Sequence, residues 1–167
     1  MKGLLAAGAF AIAAIAPAAV TAACFTQREW SAMEVALLDR EMEVAALSCR
    51  TVAGVDFIQE LNQVRARHRI REFTAVLQGY YNRSFGAQGR TRFDRFMTVS
   101  SNDFSMRSFA SANFCGDMLT LFKAVSAAEP GTVTKLATDR ARELQTMTGE
   151  VCTAPPAQRA PTTARTP

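Results

Sequence analysis

Gln27 to Ser48 reads QREWSAMEVALLDREMEVAALS: 22 residues with no Gly or Pro, dominated by Ala, Leu, Met and Glu. These residue types lose little side-chain freedom in a helix. Thr26 and Glu29 stand at capping-box spacing at its start, with Phe25 placed before them as a hydrophobic staple. Trp30, Met33, Leu37, Val44 and Leu47 recur at helical spacing, which predicts one apolar stripe, with Glu34, Glu41 and Glu43 turned to water. A helix this long and this apolar needs partners, so the chain around it should supply further helices.

It does. Asp56 is placed to cap a second helix, with Gln59 three residues on, and Phe57, Leu61, Val64 and His68 share one face. From Ile70 the apolar set of Phe73, Leu77, Tyr80 and Tyr81 moves to another face, so the helix is either kinked near Arg67–Arg69 or buried on different sides along its length; one long helix to about Tyr81, with room for a bend, is the preferred reading. Asn82–Gly89, with Gly86 and Gly89, reads as a turn. A third helix is expected from Thr91 to about Ser101, where Ser100-Ser101-Asn102-Asp103 offers cap formers and hence a break. Asn113 can cap a helix that Glu129-Pro130-Gly131 stops, and the last helix is expected from Thr132 to about Thr148. Arg50–Val55 reads as a connection, and no segment has the alternation of a strand. The expected fold is all-α, an irregular bundle of four or five helices.

The ends of the chain are different. Lys2 precedes an apolar run from Leu4 to Ala16, then Pro17 and small residues to Ala23, the pattern of a secretory signal over residues 1–23. The run is too short and Ala-rich for a membrane span, which needs about 20 strongly apolar residues. Thr21-Ala22-Ala23-Cys24 also resembles a lipoprotein cleavage box, although Thr stands where Leu is usual, and a membrane partner is expected only if Cys24 is lipidated. Residues 153–167, rich in Pro, Ala and Thr, read as a disordered tail, leaving 24–152 as the helical domain. The expected location is the periplasm or the extracellular space.

Export puts Cys24, Cys49, Cys115 and Cys152 where disulfides persist. Four cysteines allow three connectivities. Cys49–Cys115 with Cys24–Cys152 is preferred, because it ties helix end to helix start and the first part of the domain to the last. No CxxC pattern occurs and His68 is the single histidine, so neither a metal site nor a cofactor is expected.

Charge is the main functional clue. Cys24–Glu60 holds seven acids and three bases, whereas Arg65–Arg107 holds nine arginines and three acids. Arg65, Arg69, Arg90, Arg92 and Arg95, with Tyr80 and Tyr81 among them, are the candidate binding residues for an anionic ligand or an unidentified protein. The plain alternative is that these arginines balance Glu34, Asp39, Glu41 and Glu43 of the first helix. Nucleic acid is not an expected partner, since export removes it and no recognition motif is present. Catalysis has no support from a serine elbow, HExxH, phosphate loop or dinucleotide fingerprint. His68 sits on an apolar face as a packing residue, and Asp94 with Asp103, or Glu41 with Glu43, are common acidic pairs rather than a catalytic dyad. No catalytic residue is assigned. The expectation is a non-catalytic exported binding protein; the alternative is an enzyme or enzyme subunit acting on an anionic cell-envelope substrate.

Ala45-Ala46-Leu47-Ser48-Cys49, Tyr80-Tyr81, Phe85-Gly86-Ala87-Gln88-Gly89, Arg92-Phe93-Asp94-Arg95-Phe96 and Phe114-Cys115 together resemble small exported helical proteins of alphaproteobacteria. That group has no assigned activity. The resemblance implies export, helices and a paired Cys49 and Cys115, and it carries over no functional residue.

Overall fold

The computed structural model describes residues 24–144 and 151–152. The stretches expected to be a signal and a tail, residues 1–23 and 153–167, and the end of the last expected helix lie outside the described residues. Within them the protein is a helical bundle of α1 (Gln27–Cys49), α2 (Phe57–Arg67), α3 (Ile70–Phe85), α4 (Gly89–Ala110), α5 (Phe114–Ala127) and α6 (Val133–Leu144). Taking α2 and α3 as the one bent helix expected from sequence leaves five.

The capping box at α1 forms as expected: Thr26 Oγ1 accepts from Glu29 N–H at 3.3 Å while Thr26 N–H donates to Glu29 at 2.8 Å. Asp56 caps α2, accepting from Ile58 N–H at 2.9 Å and Gln59 N–H at 3.1 Å. Between α1 and α2 the connection is a two-residue-loop hairpin, β1 (Thr51–Val52) against β2 (Val55–Asp56). Its two central residues, Ala53 and Gly54, both have positive φ, the geometry that suits a tight hairpin. Strands this short have no alternation to read.

The expected kink after α2 falls at His68 and Arg69. His68 ends α2, Arg69 takes the left-handed conformation at φ 54°, and α3 starts at Ile70. Buried His68 brings Nε2 to 2.9 Å from the Val125 carbonyl, tying the break to the end of α5. At the next corner Gly86–Gln88 forms a single 3₁₀ turn. A side chain on Gly89 would lie 2.6 Å from Asn82 Cα and 2.7 Å from the Tyr81 carbonyl, so a glycine there lets α4 start against the backbone of α3. The expected break near Ser101 is absent and α4 runs through it. Ser100 and Ser101 donate back to the carbonyls of Phe96 and Met97 at 2.9 and 3.0 Å, so their hydroxyls join the helix instead of capping a new one.

α1 is the hub, packed against α2, α3, α4, α5 and α6. Every residue from Ala32 to Asp39 is buried. This corrects the single-stripe reading: Glu34 and Glu41 are 5% and 2% exposed, and Leu47, placed on the stripe, is 67% exposed. A helix covered on all sides shows little amphipathicity. Phe57, Leu77, Phe104, Phe122 and Met118 fill the space around it. Each such side chain contributes roughly 1.5–3 kcal/mol through burial.

Buried acids on α1 are matched from neighbouring helices. Asp39 takes a two-pronged contact from Arg65 of α2, Nε at 2.7 Å and Nη2 at 3.0 Å, and Arg40 adds a third at 3.0 Å. Glu41 takes the same fork from Arg140 of α6, Nε at 2.9 Å and Nη2 at 2.5 Å. Both disulfides form as preferred. Cys49–Cys115 joins the end of α1 to the start of α5, and Cys24–Cys152 joins the segment before α1 to the last described residue. Four paired cysteines with none free suit a non-reducing environment. Among the described residues no helix is long and apolar enough to cross a membrane.

Candidate binding groove between α3 and α4

The turn of Gly86–Gln88 folds the start of α4 back beside the end of α3. Aromatic residues from both helices therefore meet. Tyr81 is the centre, with ring centroids 5.7 Å from Phe85, 5.8 Å from Phe96 and 5.9 Å from the buried Phe93. Tyr81, Phe85, Phe96 and Val99 floor a groove of about 750 Å³, and Arg92 and Arg95, one helical turn apart, stand at its edge.

Arg92 is held in place. Its guanidinium lies 4.5 Å from the Phe85 ring centroid, and Nε and Nη2 each donate to Gln88 Oε1 at 3.3 Å. Stacking on an aromatic face leaves the remaining N–H groups directed outward. Among the described residues no carboxylate lies within ion-pair distance of Arg92 or Arg95. Burial, then the neighbouring Tyr80, pushes the Tyr81 phenol up to about 12, so it stays neutral over the physiological range.

The other candidates are placed elsewhere. Tyr80 belongs to the core: it is 5% exposed and stacks on Phe25 at 3.8 Å. Arg65 and Arg69 line a separate polar cleft of about 740 Å³ bounded by α1, α2 and α3. Desolvation works against the Arg65 cation, but the Asp39 hydrogen bonds and charge outweigh it and raise its pKa. Arg69 pairs with Glu72 on the surface. Arg90 is 83% exposed and faces Asp94 at 4.0 Å. The five arginines therefore do not share one face. Arg65 balances the acidic first helix, as the plain alternative held, while Arg92, Arg95 and Tyr81 come together.

Of the groove residues, Tyr81, Arg92 and Arg95 are candidates from sequence, whereas Phe96 and the contact of Arg92 with Phe85 emerge only in the folded chain. The signal was the seven-residue spacing of Phe85 and Arg92 around two glycines, which closes only if the turn is tight. Among the described residues no group of three or more His, Cys, Asp or Glu side chains is placed to hold a metal ion. Comparison with protein families, with curated proteins and with solved structures finds nothing that matches this chain.

Proposed function

We propose that this chain is an exported, non-catalytic binding protein of the periplasm or extracellular space, and that the α3–α4 groove takes an anionic group carried on an apolar body. The observation that carries this reading is the contrast among arginines. Arg65, Arg69, Arg83 and Arg107 each face an acid, whereas Arg92 and Arg95 flank an aromatic floor without one. Guanidinium groups recognise carboxylate, sulfonate or phosphate, and the floor recognises the attached ring or chain.

The test uses oxidised protein of residues 24–167 and the aromatic sulfonate 1-anilinonaphthalene-8-sulfonate. Its fluorescence should rise saturably at one site. Arg92→Gln with Arg95→Gln should weaken binding at least tenfold, and added salt should weaken it in the wild type more than in the variant. Binding indifferent to both the substitutions and salt would remove the groove from consideration.

A further inference from the structure

α1 carries three buried acids, and they are not treated alike. Asp39 meets Arg65 and Arg40, and Glu41 meets Arg140. Glu34 is 5% exposed, yet its hydrogen bonds come from neutral groups: Trp30 Nε1 to Oε1 at 3.1 Å and Thr138 Oγ1 to Oε2 at 2.6 Å. Among the described residues no arginine or lysine lies within ion-pair distance of it. Buried charges in proteins are paired or bind a cation, because an isolated one is costly to desolvate.

Glu34 also opens onto a recess, and unlike Asp39, which lines the cleft beside Arg65, it does so without a paired cation. The recess, about 490 Å³, is bounded by Gln27 and Trp30 at the start of α1, Thr138 and Ala141 of α6, and Val151. Arg142 stands at its edge, 78% exposed and turned to Asp139 at 3.9 Å. A carboxylate has about four lone-pair sites, and Trp30 and Thr138 use two. The indole adds an electron-rich face, which attracts cations. Ala141 and Val151 add small apolar surface. One carboxylate with a hydroxyl and an amide is too sparse for calcium or magnesium, which take about six to eight oxygens.

We propose that this recess binds a small organic ammonium, a primary amine on a short aliphatic chain. Its N–H groups donate to the free lone pairs of Glu34, its charge lies against Trp30, and its chain lies against Ala141 and Val151. The site is separate from the α3–α4 groove, and neither depends on the other.

Trp30 is the one tryptophan of the chain and so reports directly on the recess. Oxidised protein of residues 24–167 is titrated with n-butylammonium chloride, with sodium chloride and n-butanol as charge and shape controls. The expected result is a saturable change in Trp30 emission with n-butylammonium and none with either control. Glu34→Gln keeps the volume and one acceptor oxygen for Trp30 Nε1, while the Thr138 hydroxyl can turn to accept from the new amide; it should weaken binding at least tenfold, read by calorimetry, with an unchanged helical spectrum. Arg142→Gln removes the nearby cation and should leave binding equal or tighter. An equal response in Glu34→Gln, or no saturation in either wild type or Arg142→Gln, overturns the proposal and means that Trp30 and Thr138 alone satisfy Glu34. Should Glu34→Gln fold poorly, n-butanol matching n-butylammonium in the wild type overturns it equally.

Discussion

Replacing Arg140 by Met should damage this fold more than most single changes, although Arg140 touches no hydrophobic core residue through its charge. The substitution keeps the aliphatic stem and removes the fork that faces Glu41, whose side chain is 3% exposed against 19% for Arg140. The Glu41 hydrogen bonds stabilise the guanidinium against its own desolvation and raise the Arg140 pKa. Removing one partner of such a pair costs about 3–5 kcal/mol, because the other charge stays buried and uncompensated. Residual exposure of Arg140 lets some water reach Glu41, so the lower end, about 3 kcal/mol, applies. Loss of the second contact, to the exposed Glu143, adds only a few tenths of a kcal/mol. With a urea dependence of about 1.5 kcal/mol/M, the midpoint should fall by about 2 M. The assay is urea unfolding of oxidised protein followed by far-ultraviolet circular dichroism. Glu41→Met combined with Arg140→Met should return to within about 1 kcal/mol of the wild type, since both charges are gone and the volume is kept. A loss below about 1 kcal/mol for Arg140→Met, or no recovery in the double variant, would refute the reasoning that Glu41 is a desolvated charge held by Arg140.

Three further outcomes are expected. Gly89→Ala should destabilise by about 1–3 kcal/mol and widen the α3–α4 corner, because its Cβ meets Asn82 and Tyr81 backbone at 2.6–2.8 Å; thermal unfolding and 1-anilinonaphthalene-8-sulfonate affinity both read this. Cys49→Ser with Cys115→Ser opens a loop of 66 residues and should cost about 4 kcal/mol in the chain-entropy model, seen as a lowered urea midpoint with Cys24–Cys152 intact. Phenolate absorbance should show Tyr81 ionising near 12 in the folded protein, against 10 for an ordinary tyrosine. The folded state then keeps this proton where the unfolded state has lost it. Stability present below pH 10 therefore declines between pH 10 and about 12, and Tyr81→Phe should lessen that decline.

What could be read from sequence was mostly local. Thr26 with Glu29 and Asp56 with Gln59 lie three residues apart, so their caps depend on one turn of chain. The disulfides were open among three pairings, and helix ends and chain ends favoured the one that forms. Long-range partners were a different matter. Glu41 and Arg140 are 99 residues apart, and nothing near Glu41 distinguishes a buried acid from one in water. A stripe drawn on α1 presumed one covered side, whereas five helices cover it. Charge bias in Arg65–Arg107 was real but mixed two populations, because Arg65 of α2 pairs with acids of α1 and, among the described residues, no arginine of α4 does. The recess at Glu34 needs α6 and Val151 in place before it exists at all.

The Cys24–Cys152 bridge has a mechanical consequence. Its two Cα atoms are 5.0 Å apart, and beside it Cys152 N–H donates to the Phe25 carbonyl at 2.7 Å. Tension applied at residues 24 and 152 passes through one covalent link, while all the chain between them hangs as a slack loop in parallel. Without the link, the separation of 128 residues would pay out as about 440 Å of extended chain. With it, pulling on those two points lengthens nothing and loads no helix. Load that reaches residues 24 and 152 is therefore carried by the bridge, and the folded chain between them does not feel it.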